Sequence, residues 1–296
     1  MVEAFRKQVE YALKIGICAS NITRRHHSEL ITRPFSSALN QNCIEWGKDG
    51  ASCEDYDLPF VLFPGVIDVA DSLAAIKKLI FDEKKITWDE LLEALNAEFE
   101  GHEDIRQLCH DAPKFGEDDD YVDSITREVY SLINKEAMER KDTRGRGHAV
   151  QYQGASLFET CGLHTAALPC GRNAREPLSD GGISPELGFG GEPTKVMKSV
   201  SKVDHSEAER LLLNQRISPS TTAREFVNFI RAWGELGVGH TQFNVFQTET
   251  LRDAQAHPEK YPDLLVRVAG YSAQFVSLFP PTQDAIIARA EQCLSC

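Results

Sequence analysis

The sequence has 296 residues, of which 42% are apolar and 26% are charged, a composition typical of a globular protein with a sizeable core. Its formal net charge of −13 argues against nucleic acid as a partner, because phosphate binding requires a basic surface. No apolar run has the length of a membrane span, and the charged segment from Met1 to Lys14 does not resemble a signal peptide. We therefore expect a cytoplasmic protein without a membrane partner.

The first third of the chain has the pattern of amphipathic helices. A helix is predicted over 2–32, with an apolar stripe, and Pro34 ends it. His26 and His27 do not share a helical face, so we do not predict a metal site there. The stripe consists of Phe5, Val9, Leu13 and Ile17.

Three further features are predicted before residue 141. Residues 47–66 are rich in glycine and proline and predict a loop, and a helix is predicted over 69–80. Thr87 and Glu90 form a capping box at the start of another helix. The acidic run 117–120 precedes an amphipathic segment, so we interpret it as a helix N-terminus rather than a calcium site.

The second half has a different pattern. Residues 141–194 have the composition of strands and long loops. After them the sequence predicts a strand over 212–219, a helix over 223–236 and a strand over 240–245. A further helix is predicted from Thr250 and ends at His257 and Pro258. We expect His240 to be a hydrogen-bonded core histidine rather than a catalytic residue. A last helix is predicted over 281–292. The 223–236 helix is expected to bury Phe226, Phe229, Ile230 and Trp233.

The eight cysteines are irregularly spaced. Cys293 and Cys296 have C-x-x-C spacing, but no second pair accompanies them, so we interpret them as two thiols in a frayed tail rather than a zinc or redox site. For the remaining cysteines we expect free thiols in a reducing compartment. These are Cys18, Cys43, Cys53, Cys109, Cys161 and Cys170.

One heptapeptide near the C-terminus lies between two apolar runs and predicts a strand, a tight turn at Gly270 and a second buried element. Its sequence resembles the radical-bearing loop of the glycyl radical enzymes, the pyruvate formate-lyase-like superfamily. The resemblance runs through nearly the whole chain and is strongest from 198 to 292, although Cys170 stands where the family pattern usually has aspartate. The heptapeptide is Arg267-Val268-Ala269-Gly270-Tyr271-Ser272-Ala273.

The resemblance implies an α/β fold that forms the C-terminal part of a ten-stranded α/β barrel. It implies that residues 1–170 are the mostly helical end of the barrel domain and that 171–296 are the glycine radical domain. Gly270 would carry the radical in a buried loop that swings out for activation. No cofactor would be bound, because an activating enzyme that uses S-adenosylmethionine and an iron–sulfur cluster installs the radical.

The family also uses a cysteine in a Gly-Cys-x-Glu type motif, and this sequence contains no Gly-Cys pair. We therefore expect the C-terminal portion of an anaerobic lyase for carbon–carbon or carbon–heteroatom bonds, of the dehydratase or decarboxylase branch. Such a portion would need a missing N-terminal half or a partner chain, would be inactive alone, and would belong to a homodimer when complete. The alternatives are a stand-alone radical module that docks on a partner enzyme and an inert remnant.

Overall fold

The computed structural model describes residues 1–50, 59–152, 157–186, 192–208, 211–245, 247–268 and 270–291. The chain divides into two compact units, Met1–Val61 with Ser131–Val150, and Leu62–Tyr130 with Gln151–Cys296. Its helices, in chain order, are α1 (Val2–Leu30), α2 (Pro34–Ala38), α3 (Gln41–Trp46), α4 (Val66–Ile76), α5 (Trp88–Asn96), α6 (Glu103–His110), α7 (Asp120–Glu139), α8 (Leu157–Leu163), α9 (Pro193–Ser201), α10 (Ala223–Glu235), α11 (Thr248–Ala256) and α12 (Pro280–Glu291). Its strands are β1 (Phe60–Leu62), β2 (Ala149–Gln151), β3 (Leu212–Arg216), β4 (His240–Asn244), β5 (Leu265–Arg267) and β6 (Ser272–Gln274).

The first unit is built on α1, which buries Val9, Leu13 and Ile17 along the predicted stripe. The helix ends at Leu30, and Pro34 opens the short helix α2, so the predicted break is confirmed. Strand β1 pairs with β2 in a two-stranded sheet, although the sequence predicted a loop over the residues of β1. Three residues are too few for a clear alternation of apolar and polar side chains.

The cysteines of the described segments are not all free. Cys18, Cys109, Cys161 and Cys170 are free thiols, as expected. Cys43 is disulfide-bonded, so the expectation of a free thiol is wrong at this position. Cys53, Cys293 and Cys296 lie outside the described residues.

The second unit begins with α4, which starts at Val66 and continues into a π-helical turn over Lys77–Asp82. The helix predicted over 69–80 is thus confirmed, with an earlier start. The capping box of α5 is also confirmed, because Glu90 N–H donates to Thr87 Oγ1 at 3.3 Å and Thr87 N–H donates to Glu90 Oε2 at 2.7 Å.

The region 141–194 is more helical than its composition predicted. It contains α8 and the start of α9. Phe158 of α8 packs in a buried cluster with Leu178 and Ala285, and this tertiary contact stabilises a helix that its seven residues would not form alone. The predicted strands over 212–219 and 240–245 are confirmed as β3 and β4, and the predicted helices 250–255 and 281–292 correspond to α11 and α12.

Strands β3 and β4 run parallel, as expected for a barrel built from alternating strands and helices. Leu212 also bridges in parallel to Gly182, which places a third segment on the outer side of β3. No strand pairs with the other edge of β4 among the residues that the structure describes. Strands β5 and β6 form a separate antiparallel hairpin.

Helix α10 contains no fully buried residue, so the prediction that it buries four large apolar side chains is wrong. Its aromatic side chains are half-buried because they pack on one side only. Phe226 and Phe229 lie edge-on to Phe243 of β4, with ring centroids 5.0 and 6.0 Å apart. Trp233 Nε1 donates to Thr241 Oγ1 of the same strand at 2.7 Å. Across the described segments, no helix combines the length and the apolar character that crossing a membrane requires.

Candidate functional site

Gly270 lies at the tip of the β5–β6 hairpin. Arg267 and Ser272 form the last register pair of the two strands, and Val268 N–H donates to the carbonyl oxygen of Tyr271 at 2.9 Å. Gly270 has φ +78°, a left-handed conformation that favours glycine. The predicted strand and turn are therefore confirmed, while Ala269 lies outside the described residues. The second element begins as β6, which is exposed at Ser272 and Gln274, and becomes buried only at Phe275.

One side of the hairpin is fixed in a hydrophobic core. Val266 and Val268 are 1% and 0% exposed, and they belong to a buried cluster. The other members of the cluster are Leu251, Ala254, Phe275, Ile286, Ile287 and Ala290. Ala273 on β6 packs against this cluster from outside. The hairpin is thus held by its own strands and by α11 and α12.

The tip itself points away from that core. Gly270 is exposed, as are Arg267 and Ser272, and Tyr271 is 40% exposed. The expectation that Gly270 is buried is therefore wrong for this chain. The reason is geometric: the apolar side chains that anchor the hairpin end at Val268, and no described segment covers the turn.

The peptide nitrogen of Gly270 is nevertheless tied to β4. Gly270 N–H donates to Gln242 Oε1 at 2.9 Å, and Arg267 Nε donates to the same oxygen at 3.2 Å. Arg267 Nη1 also donates to Ser272 Oγ at 3.4 Å. Sequence reasoning missed Gln242. A polar residue at the centre of a predicted strand is a usable signal, but it does not say which loop the side chain will contact.

A second amide side chain lies beside Gln242. Asn214 of β3 is its register partner in the parallel sheet, and paired residues in a sheet point to the same face. Asn214 is 6% exposed, and its backbone N–H donates to Ser184 Oγ at 2.9 Å. Within the described parts of the chain, neither Asn214 Oδ1, nor Asn214 Nδ2, nor Gln242 Nε2 has a hydrogen-bond partner.

His240, at the start of β4, is exposed, so the expectation of a core histidine is wrong. Strand β4 presents its opposite face, with Thr241 and Phe243, to α10. The aromatic side chains of α10 therefore pack on a strand.

A buried group of carboxyls lies elsewhere in the second unit. Asp68 Oδ2 accepts from Ser179 N–H at 2.9 Å and from Ser179 Oγ at 2.6 Å, and burial raises the pKa of Asp68. Burial also raises the pKa of Asp71 to about 7 and that of Glu186 well above its usual range. Cys170 is 0% exposed, and burial together with the nearby Glu186 carboxyl raises the pKa of its thiol. A thiol at this position adds no charge to a site that already holds three acids.

The acidic run before α7 binds a lysine. Lys202 Nζ lies 3.0 Å from Asp118 Oδ1, 2.7 Å from Asp120 Oδ1 and 2.7 Å from Asp123 Oδ2. Helix α7 begins at Asp120, so the prediction of a helix start is confirmed. In the segments that the structure describes, no group of three histidine, cysteine, aspartate or glutamate residues has the arrangement of a metal site.

Comparison with known proteins identifies the family. Residues 1–157 match the model of the pyruvate formate lyase-like family, and residues 179–276 match that of the glycine radical family. Trans-4-hydroxy-L-proline dehydratase of Clostridioides difficile is 39% identical over 303 residues, covering 99% of this chain and 38% of that protein. Isethionate sulfite-lyase of Oleidesulfovibrio alaskensis is 36% identical over 299 residues, covering 97% of this chain and 36% of that protein.

Solved structures give the same result for the fold. The glycerol-bound form of the B12-independent glycerol dehydratase from Clostridium butyricum superimposes with a TM-score of 0.91 at 39% identity, covering 97% of this chain and 38% of that one. This chain therefore has the α/β fold of part of a pyruvate formate lyase-like barrel, and it spans under two fifths of the length of these relatives. The chain belongs to the pyruvate formate lyase-like family of glycyl radical enzymes, and its relatives include dehydratases and lyases.

Proposed function

We propose that Gly270 carries a stable glycyl radical and that this chain is the radical-bearing portion of a carbon–carbon or carbon–heteroatom lyase. The observation that carries the proposal is the position of Gly270 at the tip of a hairpin, inside the segment that matches the glycine radical family. A Cα radical is most stable when it is planar and conjugated with the adjoining amide nitrogen and carbonyl. A β-carbon would crowd that plane, so glycine suits the role.

The radical at Gly270 would act on a thiol. Gly270 Cα takes a hydrogen atom from S–H, so that one C–H bond forms, one S–H bond breaks and the unpaired electron moves to sulfur. The thiyl radical then attacks the substrate. No Gly-Cys pair occurs in this sequence, and we propose that the thiol belongs to a polypeptide segment outside it. The 38% coverage of the relatives supports this proposal.

The remaining partners follow from the same chemistry. We propose that an activating enzyme with S-adenosylmethionine and an iron–sulfur cluster removes the hydrogen atom from Gly270, and that the complete enzyme is a homodimer in anaerobic metabolism. The dehydratases among the relatives support cleavage of a carbon–heteroatom bond. We also propose a division between a barrel portion, 1–170, and a glycine radical domain, 171–296.

The test is anaerobic treatment with an activating enzyme, brief exposure to oxygen and intact mass spectrometry. A radical at Gly270 reacts with oxygen and cuts the backbone at that residue, which releases a short C-terminal peptide. The control is Gly270→Ala, which we expect to remain uncut. The activating enzyme is first shown to produce oxygen-dependent cleavage of a second glycyl radical enzyme. If the wild-type chain then stays uncut under the same treatment, the result contradicts the proposal and favours an inert remnant.

A further inference from the structure

A buried amide lies directly behind Gly270. Gln242 is 9% exposed, and its Oε1 atom accepts from both Gly270 N–H and Arg267 Nε. These two donors fix the orientation of the amide, because Nε2 in that position would face two other donors. A hydrogen bond to a group that is shielded from water is stronger than one at the surface. The loop thus has one polar anchor in addition to its apolar base.

We propose that Gln242 is the positioning residue of the radical glycine and that Asn214 is its alternative hydrogen-bond partner, so that the two amides together set how often the Gly270 loop opens. The role of Gln242 towards a radical rests on the function proposed above for Gly270. The hydrogen-bond geometry does not depend on that function, and it can be tested without a radical.

The orientation of the Gly270 amide bears directly on the radical. An unpaired electron at Cα is delocalised onto the adjoining nitrogen only when the amide group lies in the plane of the radical centre. The bond from Gly270 N–H to Gln242 Oε1 holds that amide group in one orientation relative to β4. Loss of the bond would leave an exposed turn with its φ angle free to vary, because glycine has no side chain to restrict it.

Asn214 gives Gln242 a second place to bond. The two residues are register partners on neighbouring parallel strands, about 4.8 Å apart by sheet geometry, and their side chains share one face. Asn214 Oδ1, Asn214 Nδ2 and Gln242 Nε2 are all buried without a partner in the described part of the chain. Leaving such buried atoms unpaired costs free energy. A hydrogen bond between the two amide side chains would therefore offset the hydrogen bonds that Gln242 loses when the loop opens.

Two contacts of the hairpin remain when Gln242 leaves the loop. Arg267 Nη1 bonds to Ser272 Oγ, and Val268 N–H bonds to the carbonyl oxygen of Tyr271. Opening would therefore free the Gly270 amide and Arg267 Nε without unfolding the strands. The two states differ in the hydrogen-bond partners of Gln242.

The experiment measures hydrogen exchange at the Gly270 amide by NMR in four proteins, the wild type and three variants. Gln242→Met keeps the size of the side chain and removes the acceptor, and we expect exchange at Gly270 to become on the order of tenfold faster. Gln242→Glu keeps an acceptor and should retain the protection. Asn214→Leu removes the alternative partner and should slow the exchange. The amides of Val268 and Phe275, which bond to Tyr271 O and Leu264 O, are internal controls and should not change.

Unchanged exchange at Gly270 in Gln242→Met would overturn the proposal. Equal acceleration at Gly270, Val268 and Phe275 would also overturn it, because Gln242 would then only stabilise the hairpin. Unchanged or faster exchange in Asn214→Leu would reject the role of Asn214. In activated protein, the electron paramagnetic resonance doublet from the α-hydrogen of Gly270 should change its splitting in Gln242→Met and not in Gln242→Glu. Because exchange is measured without a radical, failure of the proposed function would leave the exchange result standing.

Discussion

Phe115 N–H donates a 2.9 Å hydrogen bond to Oδ1 of Asp71, a residue of α4 that lies 44 positions earlier in the chain and is 0% exposed. The bond ties the segment after α6 to the buried face of α4. Burial, partly opposed by the charge of Lys114 and reinforced by those of Asp68 and Asp123, raises the pKa of Asp71 to about 7. A carboxyl with a raised pKa holds its proton better in the folded protein than in the unfolded chain.

The first prediction is that the contribution of Asp71 to the free energy of unfolding falls as pH rises from about 4 to above 7. Below pH 4 the Asp71 carboxyl is protonated in both states, whereas above pH 7 the folded protein must hold a buried charge. Asp71→Asn removes the buried charge and retains an oxygen acceptor for Phe115 N–H. We therefore expect the variant to be more stable than wild type at pH 8 by a few kcal/mol, and its free energy of unfolding to depend less on pH. Urea unfolding at pH 5, 6, 7 and 8 measures this.

Asp263→Asn is the control for Asp71→Asn, because it makes the same substitution at an exposed carboxyl. The pKa values of Asp68 and Glu186 are also raised by burial, so Asp71→Asn should remove only part of the slope. A slope equal to that of wild type would contradict the assignment of a raised pKa to Asp71.

The second prediction concerns Lys202, which neutralises Asp123. The Asp123 side chain is 1% exposed, so Lys202→Met leaves a buried charge without its cation and should destabilise the protein by about 2–4 kcal/mol. Lys195→Met breaks an exposed pair with Glu117 and should cost less than about 1 kcal/mol. The double variant Lys202→Met with Asp123→Asn should recover part of the loss. Equal unfolding free energies for the two lysine variants would contradict this reasoning.

The third prediction compares two helical glycines. Gly16 in α1 has open space where a β-carbon would stand, so Gly16→Ala should stabilise the helix by up to about 1 kcal/mol. In α8, a β-carbon at Gly162 would overlap the carbonyl oxygen of Glu176 and lie 2.9 Å from Pro177 Cα. Gly162→Ala should therefore destabilise the protein by more than about 2 kcal/mol. Thermal unfolding of both variants checks the opposite signs.

The fourth prediction concerns His205, a half-buried residue just after α9. Its Nε2 lies 3.2 Å from Val200 O, and Gly239 N–H donates to its Nδ1 at 3.4 Å, so the neutral ring with hydrogen on Nε2 satisfies both contacts. Burial lowers the pKa of His205, although the Val200 carbonyl and Asp204 oppose the shift. The contribution of His205 to the free energy of unfolding should therefore fall as pH falls below about 6.5, and His205→Gln should remove that part of the pH dependence. An NMR titration of His205 with a midpoint above 6.5 would contradict it.

Local patterns in the sequence predicted local structure well. The stripe of α1, the capping box at Thr87 and the turn at Gly270 depend on residues within one or two turns of each other. The family could be inferred from the heptapeptide around Gly270 because its residues are contiguous.

Properties that depend on distant segments were not predictable from one sequence. Asp68 and Asp71 lie three positions apart on one face of α4, a spacing that equally suits a solvated face, and only the fold places them in the interior. Gly270 and His240 were expected to be buried, yet exposure is decided by what covers them. Gln242 was missed for the same reason, because its contact with Gly270 spans 28 positions.

One edge of β4 is paired with no strand among the described residues, and this has a consequence for assembly. Backbone N–H and C=O groups along a strand edge repeat at fixed spacing, so a segment that pairs with this edge must adopt one of a few registers. A shift of one residue would turn every side chain of the added segment to the opposite face of the sheet. Main-chain hydrogen bonds would align any segment that pairs with β4. Its position relative to Gln242 and Gly270 could then change only in steps of one residue.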